Sequence, residues 1–239
     1  MPNTPPAVVA DLAPSGVLRA AINLGNPVLA QGTPAEPAGV TVDISREIAV
    51  RLNVQAEFVS FTAARDSFEA MMTGQADICF LAIEPAREAE VAFTAPYVLI
   101  EGVFAVPGPS RLATVGDVDS PGVRIGVNRG SAYDLFLSRT LRQATLVRGA
   151  EGTGEFLTQN LEAAAGIREA MTAFVTTHSG CRLIEERFME IRQAVGTAKT
   201  KCPETTRFLH GLVEELKATG FVADSLRRSG QSAAVAPAA

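Results

Sequence analysis

The order of strand-like and helix-like segments in the first 105 residues is the feature that most constrains this chain. Three segments are typical of strands, namely Val17–Ile22, Ala56–Phe61 and Ala76–Ala82. Helical patterns lie between them, over Asp43–Leu52 and Ala64–Thr73. The resulting β-α-β-α-β order predicts a parallel sheet with helices packed on its faces.

Local signals support these elements. Ile44, Ile48 and Leu52 repeat at four-residue intervals, which places them on one face of a helix. We expect Asp43 to cap the first turn of that helix. Gly74 is expected to end the second helix. The third strand is apolar almost throughout, which predicts that both of its faces are covered.

A second α/β unit follows. Its predicted strands and extended pieces alternate with helices, and the chain then closes with two more helices and a tail that we expect to be frayed. In chain order these segments are Val123–Val127, Ser131–Gln143 (helix), Leu146–Arg148, Gly154–Asn160 (helix), Glu162–Ala165, Ile167–Thr177 (helix), Leu183–Glu185, Met189–Val195, Glu204–Ala218 (helix), Phe221–Arg228 (helix) and Ser229–Ala239 (tail).

Connecting stretches near Ile100–Pro107 and Arg192–Ala198 predict that the chain crosses twice between the units. The C-terminal helices can then return to the first unit. We therefore predict an α/β protein with two lobes, residues 1–104 plus 196–239 and residues 105–195. The predicted hinge lies near 100–107 and 189–198. Open α/β sheets bind ligands at the carboxyl ends of their strands, so we expect a ligand-binding cleft between the lobes.

Composition narrows the class of protein. The 239 residues are 47% hydrophobic with a formal charge of −5, which excludes a disordered chain and speaks against a nucleic-acid binder. No apolar stretch reaches the roughly 20 residues of a membrane span. Met1–Pro14 lacks the pattern of a secretory leader. We therefore expect either a processed chain or a cytoplasmic protein.

The three cysteines and two histidines carry no recognisable site. Cys79 lies in an apolar run and is expected in the core, whereas the sequence leaves open whether Cys181 and Cys202 pair. His178 and His210 belong to no metal-ligand or nucleophile motif. We expect no metal site and no cofactor.

Four passages, in order, resemble the extracytoplasmic solute-binding proteins of ABC transporters, in the branch that includes polar amino-acid binders. The likeness spans about residues 15–228. The passages are SGVLRAAI (15–22), GVTVDISREIAVRLNV (39–54), the segments GQADI, IEPAR and FTAPY within residues 74–97, and RIGVNRGSA (124–132).

This resemblance implies a type II periplasmic-binding-protein fold, with two lobes of mostly parallel sheet joined by a double-strand hinge. It implies a non-enzymatic protein that captures a small carboxylate ligand by lobe closure and delivers it to an ABC transporter permease. It also implies a periplasmic location. We expect a monomer that does not bind nucleic acid.

The resemblance and the local chemistry together suggest a binding site. Arg87 matches the carboxylate clamp of the family, and a guanidinium can hold a carboxylate through two hydrogen bonds. The alternative is a surface arginine beside Glu84 or Glu88. Ser131, after Gly130, stands where a strand turns into a helix and offers its hydroxyl and free N–H groups to an anion, unless it serves only as a helix cap. Backbone groups of Leu81 and Ala82 are expected to line the site.

Three departures from the family pattern concern the ligand. The spacing from Asp77 to Arg87 is two residues shorter than usual. No aromatic residue follows the first strand, where Asn26 stands either as a ligand contact or as a turn residue before Pro27.

The third departure is that the acid that pairs with a ligand ammonium in amino-acid binders falls on Ile167. Either the ligand has no α-amine, or Glu101 supplies the charge. The alternative for Glu101 is a hydrogen-bonding strut.

The same sequence also resembles a class of enzymes. Cyclohexadienyl dehydratases are similar in sequence and use a cleft carboxylate as an acid, for which Glu101 and Glu162 would be the candidates. No acid–base pair in the sequence has a spacing that demands catalysis, and a binding protein is the leading interpretation.

Overall fold

The computed structural model describes residues 4–239, and its elements alternate through most of the chain. In chain order they are α1 (Pro6–Leu12), β1 (Val17–Asn23), β2 (Gln31–Gly32), β3 (Pro37–Ala38), α2 (Val40–Leu52), β4 (Gln55–Phe61), α3 (Ala64–Met72), β5 (Ile78–Ala82), α4 (Pro85–Glu88), β6 (Val91–Phe93), β7 (Val98–Pro107), α5 (Val115–Val118), β8 (Arg124–Asn128), α6 (Ala132–Thr140), β9 (Thr145–Gly149), α7 (Gly152–Thr158), β10 (Ala163–Ile167), α8 (Arg168–Thr177), β11 (Cys181–Ala198), α9 (Pro203–Ala218), α10 (Phe221–Arg228) and β12 (Ala234–Val235).

The chain divides into two compact units. Unit 1 comprises the chain up to Leu99 together with Arg192–Ala239, and unit 2 comprises Ile100–Ile191. Both divisions fall inside the long strands β7 and β11, which run from one unit into the other. The boundaries predicted after residues 104 and 195 lie farther along the same two strands.

Unit 1 is organised around β1 and β5. β1 pairs in parallel with β4 and with β5, and β5 pairs antiparallel with the end of β11. All five residues of β5 are buried, as its apolar sequence predicts for a central strand. Met71, Ala76 and Val91 pack with it in one hydrophobic cluster. The carboxyl ends of these parallel strands therefore meet at one edge of the sheet.

The helix α2 begins three residues earlier than predicted, and the expected cap is wrong. Gly39 occupies the N-cap position, and Asp43 lies inside the first turn. The Asp43 carboxylate accepts hydrogen bonds from Ser225 Oγ at 2.6 Å and Arg228 Nη2 at 2.8 Å. Local pattern predicts that the Asp43 carboxylate caps the helix, but residues far away in the sequence bind it instead.

The C-terminal tail is not frayed. β12 pairs antiparallel with the start of β7, joining Ala234 to Leu99 and Val235 to Val98. The Ala236 N–H donates to Tyr97 O at 3.1 Å, and Ala236 is buried. The tail is ordered because its backbone groups complete the edge of β7 in unit 1.

In unit 2, β10 pairs antiparallel with β7 and in parallel with β8, which in turn pairs in parallel with β9. The small residues of β10 are all buried. At Gly126 an added Cβ would lie 2.1 Å from Gly152 O, so only glycine lets α7 approach β8 this closely. The two extended pieces predicted over 183–195 are one strand, β11.

Three further sequence-based expectations concern single segments. Met1–Pro14, for which no element is predicted, contains α1, and its first three residues lie outside the described part of the chain. Cys79 is fully buried as expected, and Cys79, Cys181 and Cys202 are all free thiols. Among residues 4–239, none of the helices has the length and apolar character needed to cross a membrane.

Candidate functional site

The turn after β5 carries the candidate arginine of unit 1. Pro85 opens the short helix α4, and the Arg87 N–H donates to Glu84 O at 2.8 Å, which fixes the turn. Arg87 is 5% exposed, and its Nη1 donates to Ala82 O at 3.2 Å. The guanidinium is therefore a buried cation at the carboxyl end of a central strand, and not the surface arginine of the alternative interpretation.

Burial is the main influence on this cation. It lowers the pKa of Arg87 from its usual value, while the nearby Cys79 and Glu84 side chains oppose that change. A guanidinium stays protonated in proteins, so the site keeps its positive charge. Burial likewise raises the pKa of Cys79 to about 12, which leaves this neighbour as a neutral thiol. Glu84, which is also buried, is therefore the carboxylate of the protein that acts on this cation.

The backbone of Leu81 and Ala82 lies beside Arg87. Both residues pair with β11, opposite Ala194 and Gln193, and pairing with β1 extends only to Cys79. The Ala82 carbonyl is used by Arg87. The structure therefore brings these three predicted residues together at the end of β5.

Asn26 lies on the loop that follows β1. It is 9% exposed, and its Oδ1 accepts from the Val28 N–H at 3.2 Å. Its carbonyl accepts from the N–H groups of Leu29 and Ala30, each at 3.0 Å. This is the geometry of a turn-forming asparagine, the alternative that the sequence favours equally.

The turn after β8 carries the candidate residues of unit 2. β8 ends at Asn128, and Gly130 has a φ of 72°, a conformation that favours glycine. Ser131 is the N-cap of α6, and its Oγ accepts from the Asp134 N–H at 3.1 Å. Ser131 is thus a helix cap, and its side chain also forms a hydrogen bond with Tyr133.

Asp134 is a residue that the sequence interpretation missed. It is 4% exposed, and its carboxylate accepts from the Gly130 N–H at 2.8 Å and from Arg148 Nε at 2.8 Å. The sequence predicts free N–H groups at this turn. The Gly130 N–H is instead bound to Asp134 and is not available to an anion. The Ser-x-x-Asp spacing of a capping sequence is the signal that could have found it.

Glu101 is occupied by arginines of its own unit. Its two oxygens accept from Arg168 Nε at 2.5 Å and Arg187 Nη1 at 3.4 Å. Ile167, which ends β10, is buried and supplies no charge. The geometry corresponds to the strut alternative, because a ligand ammonium would have to displace a guanidinium.

Glu162, the other candidate acid, is paired with Arg124. Arg124 donates to it from Nη2 and Nε, each at 2.9 Å, and this pairing holds the pKa of Glu162 below its usual value. A general acid must be protonated at the working pH, which this lowered pKa disfavours. Within residues 4–239 there is no cluster of three metal-ligating side chains.

Comparison with known proteins identifies the family. The sequence model of the bacterial extracellular solute-binding proteins, family 3, matches residues 18–230. The chain belongs to this family. A comparison with curated protein sequences found no significant match.

Solved structures of other binding proteins share the fold. A mutant of ArgBP from T. maritima has a TM-score of 0.77 at 19% identity, with 93% of this chain and 99% of that chain covered. An amino acid ABC transporter substrate-binding protein from Streptococcus pneumoniae, bound to L-arginine, has a TM-score of 0.76 at 16% identity, covering 96% and 99%.

A third neighbour concerns the enzyme alternative. An ancestral amino acid-binding protein, described as a precursor of cyclohexadienyl dehydratase, has a TM-score of 0.74 at 18% identity, covering 92% of this chain and 97% of that chain. These likenesses confirm the type II two-lobe fold predicted from the sequence. At such identities they show the fold alone.

Proposed function

We propose that this family-3 protein binds a small carboxylate ligand and delivers it to an ABC transporter permease. The observation that carries the proposal is the buried guanidinium of Arg87 at the carboxyl end of β5. The buried Glu84 carboxylate acts on this cation within the protein, and a ligand anion would add to that stabilisation. A ligand carboxylate is the partner that the guanidinium geometry fits best.

Unit 2 supports the same ligand class with weaker donors. The Ser131 hydroxyl and the first N–H groups of α6 lie at a helix N-terminus, where a negative charge is favoured. A ligand that engages both turns would stabilise the conformation in which both reach it. That is the lobe closure on which delivery to a permease would depend.

Whether the ligand carries an α-amine bears on the role of Glu101, the candidate partner for an ammonium group. Its carboxylate is held by Arg168 and Arg187, and Ile167 offers no charge. This favours a carboxylate without an α-amine over an amino acid. Structural neighbours are amino-acid binders, so both ligand classes belong in the experiment.

The experiment is a thermal-shift screen of amino acids against amine-free carboxylates, followed by calorimetry of each hit. A ligand at 100 times its dissociation constant adds about 2.7 kcal/mol of stability. Stabilisation by carboxylates that Arg87→Ala abolishes would support the proposal. A screen in which every stabilising compound lacks a carboxylate would refute it, and steady turnover of prephenate or arogenate would move the protein to the enzyme class.

We further propose a periplasmic monomer, since the family is extracellular by description. A cytoplasmic relative of the family is the alternative. Fractionation of the native host, with an antibody to this chain, distinguishes the two compartments.

A further inference from the structure

Gln193 is a buried amide of unit 1, on the strand β11. It is 7% exposed, and its side chain forms no hydrogen bond within the described residues 4–239. The hydroxyl groups of Ser67 and Tyr97 also lack a partner in this part of the chain, but the protein encloses both of them. The Gln193 amide is not enclosed in this way, so a molecule from outside the protein can reach it.

The backbone of Gln193 is held on both sides. The residue lies opposite Ala82 in the antiparallel pair of β11 and β5, and its carbonyl oxygen accepts from the Tyr97 N–H at 2.8 Å. The unused amide is therefore carried by an ordered part of the sheet. Since buried polar groups are almost always hydrogen-bonded, an amide without a protein partner indicates a partner outside the chain.

Gln193 and Arg87 are both neighbours of Ala82. The Ile83 N–H donates to Arg192 O at 2.9 Å. The adjoining pair, Ala82 and Gln193, is therefore of the non-hydrogen-bonded kind, with both side chains on one face of the sheet and Cβ atoms about 4.5–5.5 Å apart. The Ala82 carbonyl accepts from Arg87 Nη1 at 3.2 Å. The amide and the guanidinium thus belong to the same end of β5, and both lie in unit 1.

The chemistry of the amide indicates which ligand group it fits. An amide carries no charge and offers two N–H donors and one acceptor oxygen. A hydroxyl group can both donate and accept, so it can use either end of the amide. A carboxylate can only accept, and the guanidinium of Arg87 is the better donor for it.

We propose that Gln193 is a specificity-determining residue that hydrogen-bonds a hydroxyl group of the ligand. This inference rests on the proposed function, in which Arg87 holds the ligand carboxylate. The preferred substrate class is then a hydroxycarboxylate, which binds more tightly than the unsubstituted acid of the same length. Because both partners are neutral, this preference should not depend on ionic strength.

The experiment compares ligands that differ by one hydroxyl group. Lactate is paired with propionate, 3-hydroxybutyrate with butyrate, and L-serine with L-alanine, and calorimetry measures each dissociation constant. The first two pairs place the hydroxyl at different distances from the carboxylate, and the third pair carries an α-amine. We expect the hydroxylated member of at least one pair to bind about threefold to tenfold more tightly, the range for a hydrogen bond between neutral groups.

Two variants assign that preference to a residue. Gln193→Met keeps the length of the side chain without its amide, so it should abolish the preference and leave the affinity for the unsubstituted member unchanged. It should also unfold at the wild-type urea concentration or above, because no protein group pairs with the amide that it removes. Gln55→Met is the matched control, since Gln55 is exposed, forms no side-chain hydrogen bond within residues 4–239 and begins β4 at the opposite end of the sheet. It should leave every affinity unchanged.

The failures of the two proposals are distinguishable. If carboxylates bind through Arg87 but no hydroxylated member shows an advantage, the inference about Gln193 is wrong and the proposed function stands. The inference is also overturned if Gln193→Met keeps the preference, or if it weakens both members equally and unfolds at a lower urea concentration, as a structural amide would. If no carboxylate binds, the proposed function fails and the inference fails with it.

Discussion

The two turns that carry the candidate residues have the same order, a parallel strand followed by a short connection and a helix, but they use charge differently. In unit 1 the turn after β5 buries a cation, Arg87, which donates one hydrogen bond to the Ala82 carbonyl and lies near the buried Glu84 carboxylate. In unit 2 the turn after β8 contains its own carboxylate, Asp134, which Arg148 and Gly130 satisfy internally. Under the proposed function the Arg87 turn of unit 1 would supply binding energy, whereas the buried Asp134 carboxylate of unit 2 maintains the shape of its own turn.

The strongest test of this comparison is Arg87→Ala. It removes the buried cation, so we expect carboxylate affinity to fall by about a hundredfold or more, since truncating a buried charged partner costs about 2–5 kcal/mol. Calorimetry with the best carboxylate measures the loss. Arg87→Lys is the control, because it keeps the charge without the planar fork and should lose less. Unchanged binding in Arg87→Ala would remove the clamp assignment.

Asp134→Ala tests the other half of the comparison. It leaves the Gly130 N–H and the Arg148 guanidinium without their acceptor, so the free energy of unfolding should fall by about 1.5–3 kcal/mol. Arg148 is partly exposed, which places the effect toward the lower end of that range. Urea denaturation measures it, with Asp134→Asn as the control that keeps an acceptor oxygen. A stability loss below that of Ser131→Ala would mean that the turn does not depend on this carboxylate.

Some of these differences could be predicted from the sequence. The strand β5 and the turn with Arg87 follow from an apolar run and a family motif, and α2 follows from the spacing of Ile44, Ile48 and Leu52. These signals are local, so the surrounding fold changes only the ends of the elements.

Other features depend on partners far away in the chain. Local pattern predicts that Asp43 caps α2, but Ser225 and Arg228, about 180 residues away, bind its carboxylate. The small residues of the tail predict fraying, yet the tail forms β12 and pairs with β7. The sequence does not reveal the role of Glu101, because its partner Arg168 lies 67 residues away. Such contacts between distant residues cannot be predicted from the local sequence.

Ser131→Ala tests whether the turn of unit 2 also binds the ligand, and it should destabilise the protein less than Asp134→Ala. The hydroxyl caps α6, so its loss should lower the free energy of unfolding by about 1 kcal/mol. If the hydroxyl also donates to the ligand, affinity should fall by roughly tenfold, a net hydrogen bond of about 1 kcal/mol. Ser131→Thr keeps a hydroxyl and should restore most of both quantities. A variant with lowered stability but wild-type affinity would confine Ser131 to its structural role.

Glu101→Gln has the smallest expected effect and decides whether unit 2 contributes an anion to binding. The Glu101 carboxylate is 39% exposed and bridges Arg168 and Arg187, so removing its charge should lower the free energy of unfolding by no more than about 1 kcal/mol. Affinity should change less than twofold for amine-free carboxylates and for amino acids alike. Glu190→Gln is the matched control, because Glu190 also pairs with Arg187, at 3.2 Å. A selective, roughly tenfold loss of amino-acid binding in Glu101→Gln, absent from Glu190→Gln, would show that the carboxylate leaves its arginines to meet a ligand ammonium. Unit 2 would then recognise charge as unit 1 does.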